Sequence, residues 1–490
     1  MVKSNPLYRL MNPRSIAFFG ASNSIMTIGT PFLLNIIKGG YRGKVFPVHP
    51  TKKTVLGLPA YKDVSSLPEV PDLAFLVVSK KAVLDVLDAC GRRGVKLAVI
   101  VTAGYGETGS EKDRDIQAAL DEVAMKYGIR YLGPNCMGII NTAIGLNTTW
   151  FPYTQAPGHI GFISQSGSYV TQALPYFARM GIGLSKAVSI GNQANIDMID
   201  CLEYLGDDPD TRAIAIYAEG IKRPRTFLEK ARNITSIKPI VIMYVGGTRA
   251  GARAAASHTS AMAGHDGICA GMFRQAGVLR AMSFPDMFDA CLALVQQPLP
   301  KGNRMAILTN SGGPAITMAD ACDRCDLDVP LFDSRTRERI KKIIPPVASP
   351  KNPVDVTLNY DPDLIFSRLP DIIMDLPYID GMLFYGIFGP VHLKDKINLA
   401  GDLIEIPIDM ISDAMEKACM KFVSAYRRFK KPILCACFCG RDDDEAVKQI
   451  EDGGIPVYPT PERAVKAMAA LYRYSMIIKA RHGDMTDEYN

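Results

Sequence analysis

Ser15-Ile16-Ala17-Phe18-Phe19-Gly20 runs into Ala21-Ser22-Asn23, an unbroken apolar segment that stops at a glycine turn. An apolar run without polar alternation suits a parallel strand buried on both faces. Similar runs recur at 44–50 (KVFPVHP), 72–79 (DLAFLVVS), 96–104 (KLAVIVTAG) and 129–135 (IRYLGPN). Helical patterns separate them, as at 81–92 and 111–126. Strands alternating with helices predict a doubly wound α/β sheet.

The pattern restarts twice. HIGFISQ (159–165), SKAVSIGN (185–192), RAIAIYAEG (212–220) and KPIVIMYVGG (238–247) form a second set. RMAILTNSGG (304–313), GMLFYGIFG (381–389), PILCACFCG (432–440) and GIPVYPT (454–460) form a third. The proline-bearing segments 150–158 and 298–303 read as linkers, so three domains are expected at 1–150, 151–297 and 298–490. That agrees with 490 residues at about 100–200 residues per domain.

Composition narrows the function. Basic residues number 56 against 50 acidic, a net charge of +6 that is spread too evenly for nucleic acid. No run approaches about 18 apolar residues, so no membrane span is expected. The N-terminus lacks the apolar core of a secretion signal. Eleven cysteines in such a chain fit reduced thiols in a cytoplasm. Cys322 and Cys325 form a lone pair in spacing, and Cys435, Cys437 and Cys439 alternate as on one strand. Zinc needs four ligands at a workable spacing, so no metal site is expected.

Glycines at a strand-to-helix turn expose backbone N–H groups beside a positive helix end, which suits phosphates. Gly20 and Ser22 occupy such a turn. Strand two ends in Val48-His49-Pro50, then Thr51-Lys52-Lys53. A dinucleotide site usually has Asp or Glu there for the ribose hydroxyls. A cationic turn suits an additional phosphate, such as the 3′-phosphate of coenzyme A, better than NAD. Val78, Ser79, Thr102, Gly104, Asn135 and Cys136 end other strands and are expected on the same carboxyl edge.

The second set carries two segments with chemistry. Glu219 follows the strand 214–218, and His258 lies among small residues in 254–261. A histidine that accepts a phosphoryl group needs one ring nitrogen free as nucleophile and the other N–H held by an acceptor. Glu219 and His258 both lie beyond strand ends, where they could meet, with His258 expected in a loop. The charge of a phosphorylated ring favours helix N-termini. Ser164-Gln165-Ser166-Gly167-Ser168 offers one, and Thr309-Asn310-Ser311-Gly312-Gly313 another, with Pro314 expected at the first helical position. His265 reads as a helix-start residue.

At these residues the chain resembles the ADP-forming acyl-CoA synthetases, relatives of succinyl-CoA synthetase. The resemblance covers about residues 8–470 and rests on SIAFFGAS, GKVFPVHP, LGPNCMGIIN, GFISQSGS, SIGNQANID, IAIYAEGIK, ASHTSAMAG, LTNSGGPAI and NPVDV. It implies a Rossmann-like CoA-binding domain followed by two flavodoxin-like ligase domains. It also implies His258 as phosphohistidine, Glu219 as the carboxylate that holds it, and Ser166, Gly167 and Ser168 as a phosphate cradle. Ser311, Gly312 and Gly313 would face phosphate from the third domain. The implied reaction is carboxylate + CoA + ATP ⇌ acyl-CoA + ADP + phosphate, with Mg²⁺. Complete single-chain members also carry an ATP-grasp domain, which this sequence lacks. The resemblance is therefore to a separate alpha subunit, with ATP or ADP and Mg²⁺ on an ATP-grasp beta subunit in an α2β2 heterotetramer. Two other readings compete: a nicotinamide-linked oxidoreductase, disfavoured by His49 where an acid is needed, and a non-catalytic CoA-binding regulatory protein, which would need neither Glu219 nor His258.

Overall fold

The computed structural model describes residues 2–259, 265–357, 361–386, 399–403 and 408–487, excluding the side chains of 255–259, 402, 408–412 and 482–487. The chain forms two compact units, Met1–Ala178 with Ile182–Met282, and Arg179–Gly181 with Ser283–Asn490.

The first unit holds two sheets. Strands β1 (Ser15–Phe19), β2 (Lys44–Val48), β3 (Leu73–Leu76), β4 (Leu97–Ile100) and β5 (Arg130–Leu132) form a parallel sheet in the order β2-β1-β3-β4-β5. Every residue of β1, β3 and β4 is buried, the reason these segments carry no polar alternation. Helices Lys80–Arg93 and Glu111–Tyr127 lie where the periodicity put them. Each ends at a glycine in the left-handed region, Gly94 and Gly128, which a residue with a Cβ adopts only under strain.

The chain then changes sheets. Strands β6 (Gly138–Asn141) and β7 (Leu146–Asn147) join the antiparallel edge of the second sheet, ahead of residue 150. Composition does not mark that change, because residues 131–178 contain no Asp, Glu, Lys or Arg across it. The parallel part consists of β8 (Ile160–Ser164), β9 (Leu184–Ser189), β10 (Ala213–Ala218), β11 (Ile240–Tyr244) and β12 (Leu279–Arg280). The full order is β12-β11-β10-β8-β9-β6-β7. In the second unit, β13 (Met305–Thr309), β14 (Val354–Asp355), β15 (Gly381–Tyr385), β16 (Ile433–Ala436) and β17 (Val457–Tyr458) run parallel in the order β14-β13-β15-β16-β17.

Counted within its own sheet, each parallel set has the order 2-1-3-4-5. The order reverses between the first and third strands, and there the carboxyl ends open a crevice. The three crevices lie at β1/β3, β8/β10 and β13/β15. No helix among the described residues is long and apolar enough to cross a membrane.

One buried charge braces the second sheet at its amino end. Lys186, 1% exposed, donates to Asp208 at 2.8 Å and Asp210 at 2.9 Å. Asp208 also accepts from the Thr211 hydroxyl at 2.6 Å. Removing one partner of a buried pair leaves the other charge desolvated and costs about 3–5 kcal/mol. Lys186→Ala is expected to destabilise the first unit by that amount in calorimetric unfolding; a loss under about 1 kcal/mol would mean that water replaces the ammonium group.

Candidate active site

At the second crevice, Ser164 of β8 pairs in register with Tyr217 of β10. One residue on, the Gln165 N–H donates to the Tyr217 carbonyl at 3.2 Å. The Gln165 side-chain oxygen accepts from the backbone N–H groups of Glu219 and, at 3.0 Å, Gly220. One amide thus fixes the backbone that presents Glu219. The Glu219 side chain is 7% exposed, and its Oε2 is buried with no hydrogen-bond partner among the described residues. Burial first, and then the charge of Glu219, push the Tyr217 phenol above its ordinary pKa. The Tyr217 phenol also hydrogen-bonds the Glu219 carboxylate, while Oε2 has room for a donor that the described residues do not supply.

Ser166 stands at the N-cap of the short helix Gly167–Thr171 and makes no side-chain cap bond there. Its carbonyl accepts from the Ser164 hydroxyl at 2.7 Å, which tightens the turn toward Ser168. A Cβ on Gly167 would stand 2.4 Å from Met137 Cγ, so the turn admits glycine alone without a shift of that side chain. On the other side of β10, β11 leads through Gly246 (φ +91) and Gly247 into helix Arg249–Thr259. Position 258 is therefore on a helix and not in the expected loop, because alanines at 250, 252 and 254–256 favour helix. The His258 side chain lies outside the described residues. His265 is the N-cap residue of Asp266–Ala276, the helix start expected of it.

The first crevice has a different chemistry. Gly20 has φ +97, and a Cβ there would stand 1.9 Å from the Val77 carbonyl oxygen. Only glycine lets β1 turn that close to the end of β3. The Ser22 hydroxyl is engaged inside the turn, 2.6 Å from the Thr27 hydroxyl and 3.1 Å from the Ser24 N–H. Asn23 ties this turn to the next one: its amide donates to the Thr54 carbonyl at 3.2 Å and accepts from the Leu56 N–H at 2.7 Å. Pro50, Lys52 and Lys53 are exposed beside it. His49 Nδ1 accepts from the N–H groups of Thr51 (3.3 Å) and Lys52 (3.1 Å), and burial with the nearby Lys52 charge lowers the His49 pKa. Its Nδ1 is thus committed to shaping the lysine turn.

Further along the same edge, the Thr102 hydroxyl donates to the Val78 carbonyl at 2.6 Å, and the Asn135 N–H to the Thr102 carbonyl at 3.0 Å. Ser79 stands at the N-cap of Lys80–Arg93 without a side-chain cap bond, and Gly104 takes φ +98. Cys136 differs from expectation. It is 2% exposed, its thiol donates to the Ile100 carbonyl at 3.3 Å, and burial pushes its pKa up to about 12. Its side chain belongs to the core, which leaves at most its backbone for a ligand.

The structure joins the first two crevices through residues to which the sequence assigned no role. Asn192 accepts from the Asn135 amide at 3.3 Å and donates to Glu107 at 2.5 Å and Gln117 at 3.1 Å. Gly191 has φ +54, and a Cβ there would stand 2.3 Å from the Pro134 carbonyl oxygen. Lys222, three residues past Glu219, donates to the carbonyls of Asn192 and Gln193 at 2.9 and 2.7 Å. The segment SIGNQ was visible in the sequence, but the partners of the Asn192 side chain are 57 to 85 residues away.

The third crevice repeats the turn geometry. Thr309 donates to the Ser311 carbonyl at 2.7 Å and accepts from its N–H at 3.0 Å. Ser311 is the N-cap residue of Gly312–Arg324, which puts Pro314 at the third helical position, not the first. The shift carries no penalty, since the first four N–H groups of a helix have no intrahelical partner. A Cβ on Gly312 would lie 3.4 Å from an Asp355 oxygen, and one on Gly313 would meet nothing described within 4 Å, so the turn is open above Gly313. Asn310, 1% exposed, has its Nδ2 buried without a partner among the described residues.

Comparison with known proteins places this geometry. Residues 14–142 match the family described as CoA binding domain, and residues 157–294 the family described as Succinyl-CoA ligase like flavodoxin domain. The alpha subunit of acetate–CoA ligase [ADP-forming] II from Pyrococcus furiosus is 38% identical over 467 residues, covering 94% of this chain and 96% of that one. Acetate–CoA ligase [ADP-forming] I from Archaeoglobus fulgidus is 35% identical over 469 residues, covering 96% of this chain but 64% of that longer one. The solved dinucleotide-forming acetyl-coenzyme A synthetase 1 of Ca. Korarchaeum cryptofilum, in complex with phosphate and ADP, aligns at a TM-score of 0.84 and 35% identity, covering 97% of this chain and 98% of that one. Near end-to-end likeness to a separate alpha subunit, with a parallel-sheet CoA-binding domain ahead of a ligase domain, establishes that the chain belongs to the family of ADP-forming acetate–CoA ligase alpha subunits.

Proposed function

We propose that this protein is the alpha subunit of an ADP-forming acyl-CoA synthetase acting on a small carboxylate in the cytoplasm. It is organised as domains 1–150, 151–297 and 298–490. A beta subunit of the ATP-grasp type holds ATP or ADP and Mg²⁺, in an α2β2 assembly. The observation that carries this reading is the Oε2 of Glu219 at the β8/β10 crevice, buried and without a partner among the described residues. An imidazole N–H supplies the donor this oxygen lacks, and a histidine held that way keeps its other ring nitrogen as a nucleophile.

In the forward direction, a ring nitrogen of His258 takes the γ-phosphoryl group of ATP on the partner and releases ADP. The substrate carboxylate then takes the phosphoryl group from His258, giving an acyl phosphate and regenerating the free ring. The CoA thiol attacks the acyl carbon, forms the thioester and expels phosphate. Glu219 orients the ring and stabilises its positive charge during transfer. The N–H groups of Ser166, Gly167 and Ser168, and from the third domain those of Ser311, Gly312 and Gly313, receive the phosphate. CoA lies along Gly20, Ser22, Pro50, Lys52, Lys53, Val78, Ser79, Thr102, Gly104 and Asn135, with the backbone of Cys136. The missing side chain at Gly20 is a cradle that a Cβ would fill, as close approach of backbone to a phosphorylated ligand requires. A nicotinamide site is disfavoured because His49, where an acid is needed, is already bonded to its own turn.

Three substitutions test the reading. His258→Asn is expected to abolish labelling of the chain by acyl-CoA plus labelled phosphate; wild-type turnover in that variant would discard the assignment. Glu219→Gln is expected to lower kcat by about 10²–10⁴-fold with little change in CoA affinity, whereas lost CoA affinity would move Glu219 into the CoA site. Gly20→Ala is expected to weaken CoA binding by about tenfold or more in calorimetric titration, given the strain of a Cβ at φ > 0. Unchanged affinity there would take CoA off the β1 turn.

A further inference from the structure

The end of the first sheet opposite to the CoA edge carries a second, unassigned cleft. It has a volume of about 840 Å³ and lies where Arg14 precedes β1 and Lys44 opens β2. Arg9, Arg14, Arg42 and Lys44 line it together with the rings of Tyr8 and Tyr41, and no acidic residue lines it. β1 is five residues long, so roughly 17 Å of strand separates this cleft from the Gly20 turn.

The charges do not cancel. Arg9 and Arg14 share Asp72, at 3.8 and 3.0 Å, and Lys44 pairs with Glu69. Arg42 is exposed and has no hydrogen bond or ion pair among the described residues. Four cations against two carboxylates leave a surplus of two. The carboxyl end of helix Gly29–Lys38 adds about half a negative charge nearby, too little to remove that surplus. The wall is set by two glycine turns in close approach, since a Cβ on Gly145 would stand 2.7 Å from the Gly40 carbonyl carbon. The volume lies within the range of small-molecule sites. Guanidinium forks match phosphoryl oxygens two at a time, and tyrosine rings offer apolar faces beside them.

We propose that this cleft binds a diphosphate anion, free or as part of a nucleoside diphosphate, at a site separate from CoA. Arg42 is its unengaged anchor. Asn12 lies in the floor of the cleft. Its amide donates to the Tyr204 hydroxyl at 2.8 Å, and its oxygen accepts from the Asn141 amide at 3.0 Å. Tyr204 sits on helix Met198–Asp207 and Asn141 on β6, both packed with the second sheet. An occupant therefore bears on the joint between the CoA-binding module and the module that carries Glu219.

The test is calorimetric titration of the full 490-residue chain, saturated with CoA, using inorganic pyrophosphate at low ionic strength. Among any pyrophosphate sites, one saturable site is expected that Arg42→Ala weakens about tenfold or more, as for a lost charge-assisted contact. It is expected to be weakened less by Arg42→Lys and left unchanged by Lys52→Ala. Arg42 makes no side-chain bond among the described residues, so its variants are expected to melt as wild type. Displacement of pyrophosphate by ADP with higher affinity assigns the site to a nucleotide; equal or poorer competition assigns it to the free anion. Absence of saturable binding, loss of binding on saturation with CoA, or unchanged affinity in Arg42→Ala overturns the proposal. None of these outcomes bears on the His258 and Glu219 reading, which depends on other residues and on turnover.

Discussion

A carboxylate oxygen kept from water without a donor is costly, and Glu219 Oε2 is buried with no donor among the described residues. Gln165 holds the backbone of Glu219 and Gly220, which fixes the point from which the carboxylate projects. Gln165 is in reach because Ser164 and Tyr217 lie in register on adjacent parallel strands. The strand order that makes β8 and β10 neighbours also leaves the crevice above them open. Strand order, register, one amide and one carboxylate thus form a single chain of causes, and it ends in an acceptor suited to an imidazole N–H.

The same 2-1-3-4-5 order occurs three times, yet the three crevices differ in what they leave unsatisfied. The first leaves space, where Gly20 removes a side chain next to Val77, and exposed cations at Lys52 and Lys53. Among the described residues, the second leaves an anionic acceptor unmet, and the third a neutral donor, Asn310 Nδ2. A fold of this kind places ligands but does not choose their chemistry; the residue following each strand does that. Asn192 and Lys222 then tie the strand-end loops of the first two crevices together.

Much of this was legible from the chain. Strands buried on both faces leave a continuous apolar signature, and β1, β3, β4, β8, β10 and β11 were found by it. The helical patterns at 81–92 and 111–126 located helices Lys80–Arg93 and Glu111–Tyr127. The departures have physical causes. Position 258 was read as a loop of small residues after an apolar strand, but the alanines among them favour helix. Cys136 was read as a ligand contact, yet its thiol turns inward to Ile100. The roles of Gln165 and Asn192 left no trace, because a glutamine or asparagine after a strand has no pattern until its partner is known.

The amino-acid sequence by itself determined that this chain is a series of doubly wound modules, that its turns suit phosphorylated ligands, and which residue types stand at the strand ends. These are local properties, set by hydrophobic period and by backbone freedom at glycine. Tertiary structure alone decided which strand ends are neighbours, that Gln165 clamps Glu219, that Asn192 reaches Asn135 and Glu107, and that four cations far from the CoA edge share one cleft. Those outcomes depend on contacts between residues far apart along the chain, and no local period encodes such a distance.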